Sequence, residues 1–108
     1  MLFRSVNTDG GLAVQDGVAG GGGIARDSDG AFKGAWCAAY PGLPDPLTIE
    51  ALALRDAFAY AKGKNFSRVV FEVDCTELVR IWRLGRDDSS VISQIGRASC
   101  RERVLRLV

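Results

Sequence analysis

A chain of 108 residues holds one hydrophobic core and leaves no room for a second domain of ordinary size. Its content of 47% hydrophobic and 25% charged residues is that of a globular domain, and no apolar run approaches the roughly 18 residues a membrane span needs. Histidine is absent, which excludes Ser-His-Asp and Cys-His catalysis and histidine-ligated metals, and the three cysteines (Cys37, Cys75 and Cys100), an odd count with no CxxC spacing, suggest neither a disulfide framework nor a zinc site. Residues 1–5 lack the basic-then-apolar layout of a secretion leader, so an intracellular, reducing compartment is expected. Residues 3–9 (FRSVNTD) then alternate as a strand and end at Asp9-Gly10-Gly11, a turn signal. Residues 18–26 (VAGGGGIAR) form a small-residue strand. Asp27-Ser28-Asp29-Gly30 connects it to a third at 31–39 (AFKGAWCAA), where Phe32 and Trp36 are the bulky members. Together they predict an antiparallel meander. The glycines at 20–23 mark close backbone approach within a sheet, since no helix start follows them as a phosphate cradle requires.

All three prolines fall within residues 40–47, where Asp45 as N-cap and Pro46 as first helical residue open a helix. Ile49, Leu52, Ala53, Ala57 and Tyr60 keep its apolar spacing, and Lys62-Gly63-Lys64 closes it. Residues 68–74 (RVVFEVD) are the clearest strand, with Val69, Phe71 and Val73 on one face and Val70, Glu72 and Asp74 on the other. A second helix follows, with Asp74 and Glu77 in capping-box spacing and Leu78, Ile81 and Trp82 as its stripe, ending near Gly85. Residues 86–90 read as a loop, and residues 91–95 begin an element the sequence does not complete. The order β-β-β-α-β-α implies an α/β fold with a mixed sheet, because a strand that follows a helical crossover lies parallel to one already in place. Ligands collect at the C-terminal ends of such a parallel pair, where strand order reverses.

Three acids fall at the ends of elements that meet under this order. Asp9 closes the first strand, Glu50 sits in the first turns of the long helix, and Asp74 closes the parallel strand. Adjacent strands lie ~4.8 Å apart, so Asp9 and Asp74 at equal heights can share a divalent ion. Oxygen-only ligation selects Mg²⁺ or Mn²⁺ over zinc. Two such ions ~4 Å apart suit phosphodiester hydrolysis.

Four stretches, Val6-Asn7-Thr8-Asp9-Gly10, residues 20–30 (GGGGIARDSDG), Ile49-Glu50-Ala51-Leu52-Ala53-Leu54-Arg55 and Phe71-Glu72-Val73-Asp74-Cys75, resemble in order and spacing the plant-type ribonuclease H-like domain, found alone and attached to reverse-transcriptase-like proteins. The likeness runs from about residue 4 to residue 94. It implies a ribonuclease H-like mixed sheet: a three-stranded antiparallel meander, a helix, a parallel fourth strand and a second helix. It also implies Mg²⁺-dependent cleavage, with Mn²⁺ as substitute, of the RNA strand of RNA–DNA hybrids. Under the resemblance Asp9, Glu50 and Asp74 are the catalytic, metal-binding carboxylates, which also position the attacking water. Hybrid recognition then rests on backbone shape and 2′-hydroxyls. A monomer in the nucleus or cytoplasm, with no membrane partner, is expected.

The sequence departs from that family towards its end. The family's fifth strand, its last helix with a fourth carboxylate and the histidine that usually precedes it have no counterpart, and Asp87 and Asp88 stand in the wrong segment. Weak metal binding and impaired turnover are the expectation. Residues 95–104 (IGRASCRERV) resemble a DNA-sequencing adaptor translated in one frame. The domain is therefore expected to span 1–94, and 95–108 to be a read-through tail whose arginines are no nucleic-acid patch. Two alternatives share the fold: a non-catalytic nucleic-acid-binding domain, and an inactive gene fragment. Trp36, Trp82 and Cys75 read as packing residues, and Glu72 as a surface or supporting residue.

Overall fold

In the computed structural model, residues 4–42, 44–84 and 102–107 are described. Strands β1 (Arg4–Ala13), β2 (Val18–Asp27) and β3 (Phe32–Tyr40) form the antiparallel meander. Helix α1 (Pro46–Gly63) then crosses to β4 (Arg68–Val73), which lies parallel to β1, and α2 (Thr76–Leu84) follows. Strand β5 (Glu102–Leu107) runs parallel to the far side of β4, giving the order β3-β2-β1-β4-β5. The meander, the crossover and both helices stand where the periodicity puts them. The loop expected at 86–90 and the element begun at 91–95 lie outside the described residues.

A fifth strand corrects the expectation that none would form. β4 offers an unpaired edge, and any extended segment able to satisfy its N–H and C=O groups is drawn to it. In this strand Leu105 is buried, and Arg106, opposite Glu72, forms an ion pair with Glu72. The sheet therefore continues past residue 94. β1 also outruns its expected end. Gly10 to Ala13 remain paired with Val18 to Gly21, and the chain reverses one turn later, through a single 3-10 turn (Val14–Asp16) and Gly17 at φ +66°. Glycines after Asp9 read as a turn from sequence, but here both lie within β1, and Gly10 serves close approach to Ile49.

The core lies between the sheet and α1. Ala51, Leu54, Ala57, Phe58 and Ala61 pack on Val6, Ala25, Val69, Phe71 and Val73, and Leu78 and Val79 of α2 join them. A smaller cluster of Ala19, Tyr40, Ile49 and Leu52 fills the other end. Phe58 meets Phe71 edge to face at 4.5 Å and Trp82 at 5.5 Å, while Trp36 stacks on Tyr60 at 4.9 Å. Both tryptophans thus pack, as expected. The Tyr40 hydroxyl donates to Asp56 Oδ2 at 2.7 Å, tying β3 to α1.

Cap geometry matches the sequence at one end of α1 and not the other. Asp45 Oδ1 accepts from the Thr48 N–H at 2.8 Å, an N-cap, with Pro46 in the first turn. At the C-terminal end Gly63 is the last helical residue, and the left-handed position falls on Asn65 at φ +60°, a conformation asparagine tolerates. Asp74 does not cap α2. The Val79 N–H donates to the Cys75 carbonyl, which places the helix start one residue later. Among the described residues no helix is long and apolar enough to cross a membrane.

Candidate metal centre

Parallel register sets the height of two acids. Asn7 of β1 stands opposite Glu72 of β4. Two residues further along each chain, Asp9 and Asp74 come level on neighbouring strands ~4.8 Å apart. Alternation puts both on the face shared with Asn7 and Glu72, since Val6, Thr8 and Val73 between them are buried. A cavity of about 380 Å³ opens there, bordered by Asn7, Asp9, Gly22, Ile24, Glu72 and Asp74.

The third acid arrives from the helical layer. The first turn of α1 rests on the end of β1, where Ile49 meets Gly10. From the next position Glu50 Oε1 accepts the Gly10 N–H at 3.2 Å. One oxygen from each of Asp9, Glu50 and Asp74 lies within 4.8 Å of the others. Asp9 and Asp74 are exposed and Glu50 is half-buried. The structure thus brings all three sequence-selected carboxylates to one rim.

Electrostatics make this arrangement unfavourable without a counter-charge. Burial, aided by the charges of Asp9 and Asp74, raises the Glu50 carboxyl to about 7, and the Gly10 N–H only partly opposes the rise. Glu50 Oε2 is buried and has no hydrogen-bond partner among the described residues. An orphaned carboxylate oxygen beside two further carboxylates is a donor set suited to a hard divalent cation. The residues fit such a cation.

Two neighbours escaped the sequence reading. Gly10 was legible only as a turn residue, although its N–H orients Glu50. Glu72, read as surface or supporting, has a side chain only 13% exposed that is held by Arg106, whose Nε donates to Oε2 at 3.0 Å. Its cross-strand partner lies in the segment from which no strand was expected.

A family model described as reverse transcriptase-like matches residues 7–99. No curated protein matches the sequence. Among solved structures, ribonuclease H1 from the halophilic archaeon Halobacterium salinarum NRC-1 superposes with a TM-score of 0.77 at 19% identity, covering 95% of this chain and 82% of that one. The N-terminal RNase H domain of rv2228c from Mycobacterium tuberculosis gives 0.78 at 14% identity, covering 100% and 81%. LC11-RNase H1, which was isolated from compost by a metagenomic approach, gives 0.75 at 19% identity in its complex with an RNA/DNA hybrid, covering 96% and 84%.

Proposed function

The chain belongs to the reverse transcriptase-like family and has the ribonuclease H fold, and from that premise we propose that it is a divalent-cation-dependent nuclease cleaving the RNA strand of RNA–DNA hybrids. The observation that carries the reading is the convergence of Asp9, Glu50 and Asp74 from three separate elements, with one Glu50 oxygen left unpaired in the interior. Asp9 and Asp74 would hold the cation from the sheet, and Glu50 would hold it from the helix. A bound Mg²⁺ or Mn²⁺ supplies Lewis-acid polarisation of the phosphodiester and a water of lowered pKa. The solved complex of a relative with RNA/DNA hybrid supports this substrate class.

Among the described residues three acids converge, not four. A hybrid-binding domain without cleavage is the competing reading. A labelled RNA–DNA hybrid decides between them. RNA-strand cleavage in Mg²⁺ or Mn²⁺ that is lost in chelator and in Asp74→Asn supports the nuclease. Hybrid binding with no cleavage in either ion overturns it in favour of the binding domain. A broad, uncooperative melt with neither property marks an inactive fragment.

A further inference from the structure

We infer that Gly10 is a positioning residue of the proposed centre: its missing side chain lets the start of α1 seat against β1, and its N–H fixes Glu50 beside Asp9. The inference rests on reading Asp9, Glu50 and Asp74 as a cation site.

Two independent observations meet at this residue. The first is steric. A Cβ built on Gly10 falls 2.6 Å from Ile49 Cγ2, 3.1 Å from the Ile49 carbonyl oxygen and 3.2 Å from its carbonyl carbon. The Cγ2 methyl branches directly from a stiff β-carbon, so it cannot swing aside as the tip of a long side chain does. Ile49 is 1% exposed and is packed in the cluster of Ala19, Tyr40 and Leu52. Relief requires the first turn of α1 to lift off the strand. The second observation is the Gly10 N–H, which donates to Glu50 Oε1 at 3.2 Å.

Chain order turns this contact into a metal-site device. Gly10 follows Asp9, and Ile49 precedes Glu50, so each half of the contact abuts a ligand. A lift at Ile49 passes through one peptide to Glu50 and widens its separation from Asp9. The next glycine is an internal control, because a Cβ on Gly11 meets nothing within 4 Å. Neither Gly10 nor Gly11 has a positive φ, so alanine at either meets no backbone penalty of that kind, and the two differ in contact alone.

The experiment compares the full chain with Gly10→Ala, Gly11→Ala and the double variant Gly10→Ala/Ile49→Ala. Mn²⁺ affinity is read by electron paramagnetic resonance, and amide spectra are recorded in chelator with and without Glu50→Gln. Gly10→Ala is expected to weaken Mn²⁺ binding by about tenfold or more, the size seen when a partner that orients a metal ligand is lost. Gly11→Ala leaves it unchanged, and the double variant, which removes the Cγ2 contact but not that with the Ile49 carbonyl, recovers part of the loss. In the chelated protein Glu50→Gln moves the Gly10 amide resonance. Should Gly10→Ala fail to fold, the double variant and the amide shift still decide. Wild-type affinity in Gly10→Ala, no recovery in the double variant, or a Gly10 amide indifferent to Glu50→Gln overturns the inference. Mn²⁺ binding without hybrid cleavage overturns only the nuclease reading, whereas a wild type that binds no Mn²⁺ overturns both.

Discussion

Glu50 occupies a position that costs stability when the site holds no cation. Its carboxyl rises from 4.5 to about 7 on folding, chiefly through burial. Below pH 4.5 the residue is protonated in folded and unfolded chains alike, and stability is unaffected. Between pH 4.5 and 7 the unfolded chain loses this proton first, so stability falls as pH rises and stays low above 7. Glu50→Gln removes the liability. In chelator its Tm should equal that of the wild type at pH 4 and exceed it by a few degrees at pH 8, the gain limited because Glu50 is only half-buried. Melting curves at the two pH values check this, and an equal Tm at pH 8 would show that the site is not strained. Glu50 and Asp74 were legible because each sits at an element end that the hydrophobic pattern locates, and Asp9 because glycines follow it, although β1 continues to Ala13. Gly10 was not, because its part depends on Ile49 and Glu50, distant in the chain, and no local pattern reports those contacts.

Elements in this fold meet where side chains are missing. Ala53 of α1 approaches Gly21 of β2 so closely that a Cβ there would stand 2.9 Å from the alanine methyl. On the same face the Trp36 ring lies over Gly23, where a Cβ would fall 2.1 Å from the indole. Gly23→Ala should therefore displace Trp36 from its stack on Tyr60 and cost about 1–3 kcal/mol, the usual penalty of overpacking. Thermal denaturation measures the loss. Trp36→Leu in the same background should restore part of it, and a Gly23→Ala protein as stable as the wild type would refute the packing account. The glycine run was legible as close backbone approach, but the indole that uses it was not, because strand register decides which bulky residue lands opposite. β5 illustrates the converse. Edge pairing needs only extended backbone with one inward apolar side chain, and Leu105 supplies it. Pairing of this kind depends on the open edge of β4 more than on the pattern of the added peptide, so residues 102–107 (ERVLRL) carry no period-2 alternation that would announce the strand.

At the scale of the molecule, the crossover from β3 through α1 to β4 sets β4 parallel to β1 and brings β1, the end of β4 and the start of α1 to one rim. Topology was the most legible feature of the sequence, because strand and helix periods are local and the crossover rule then leaves few arrangements. It also makes the proposed site a joint between layers: Asp9 and Asp74 belong to the sheet, Glu50 to the helix that covers it. A cation held by all three cross-links the layers and binds only the folded chain. Linkage then requires the melting temperature to rise with cation concentration, by about 2.7 kcal/mol of stability at 100 times the Kd. Mn²⁺ titrated into the wild type should raise Tm continuously. The same titration should leave Asp9→Asn and Asp74→Asn nearly flat, while their Tm in chelator is at least that of the wild type, because each removes a repelling charge. Equal Mn²⁺ shifts in wild type and both variants would mean that the ion binds elsewhere. A flat wild type would mean that the three acids share a rim without sharing a ligand.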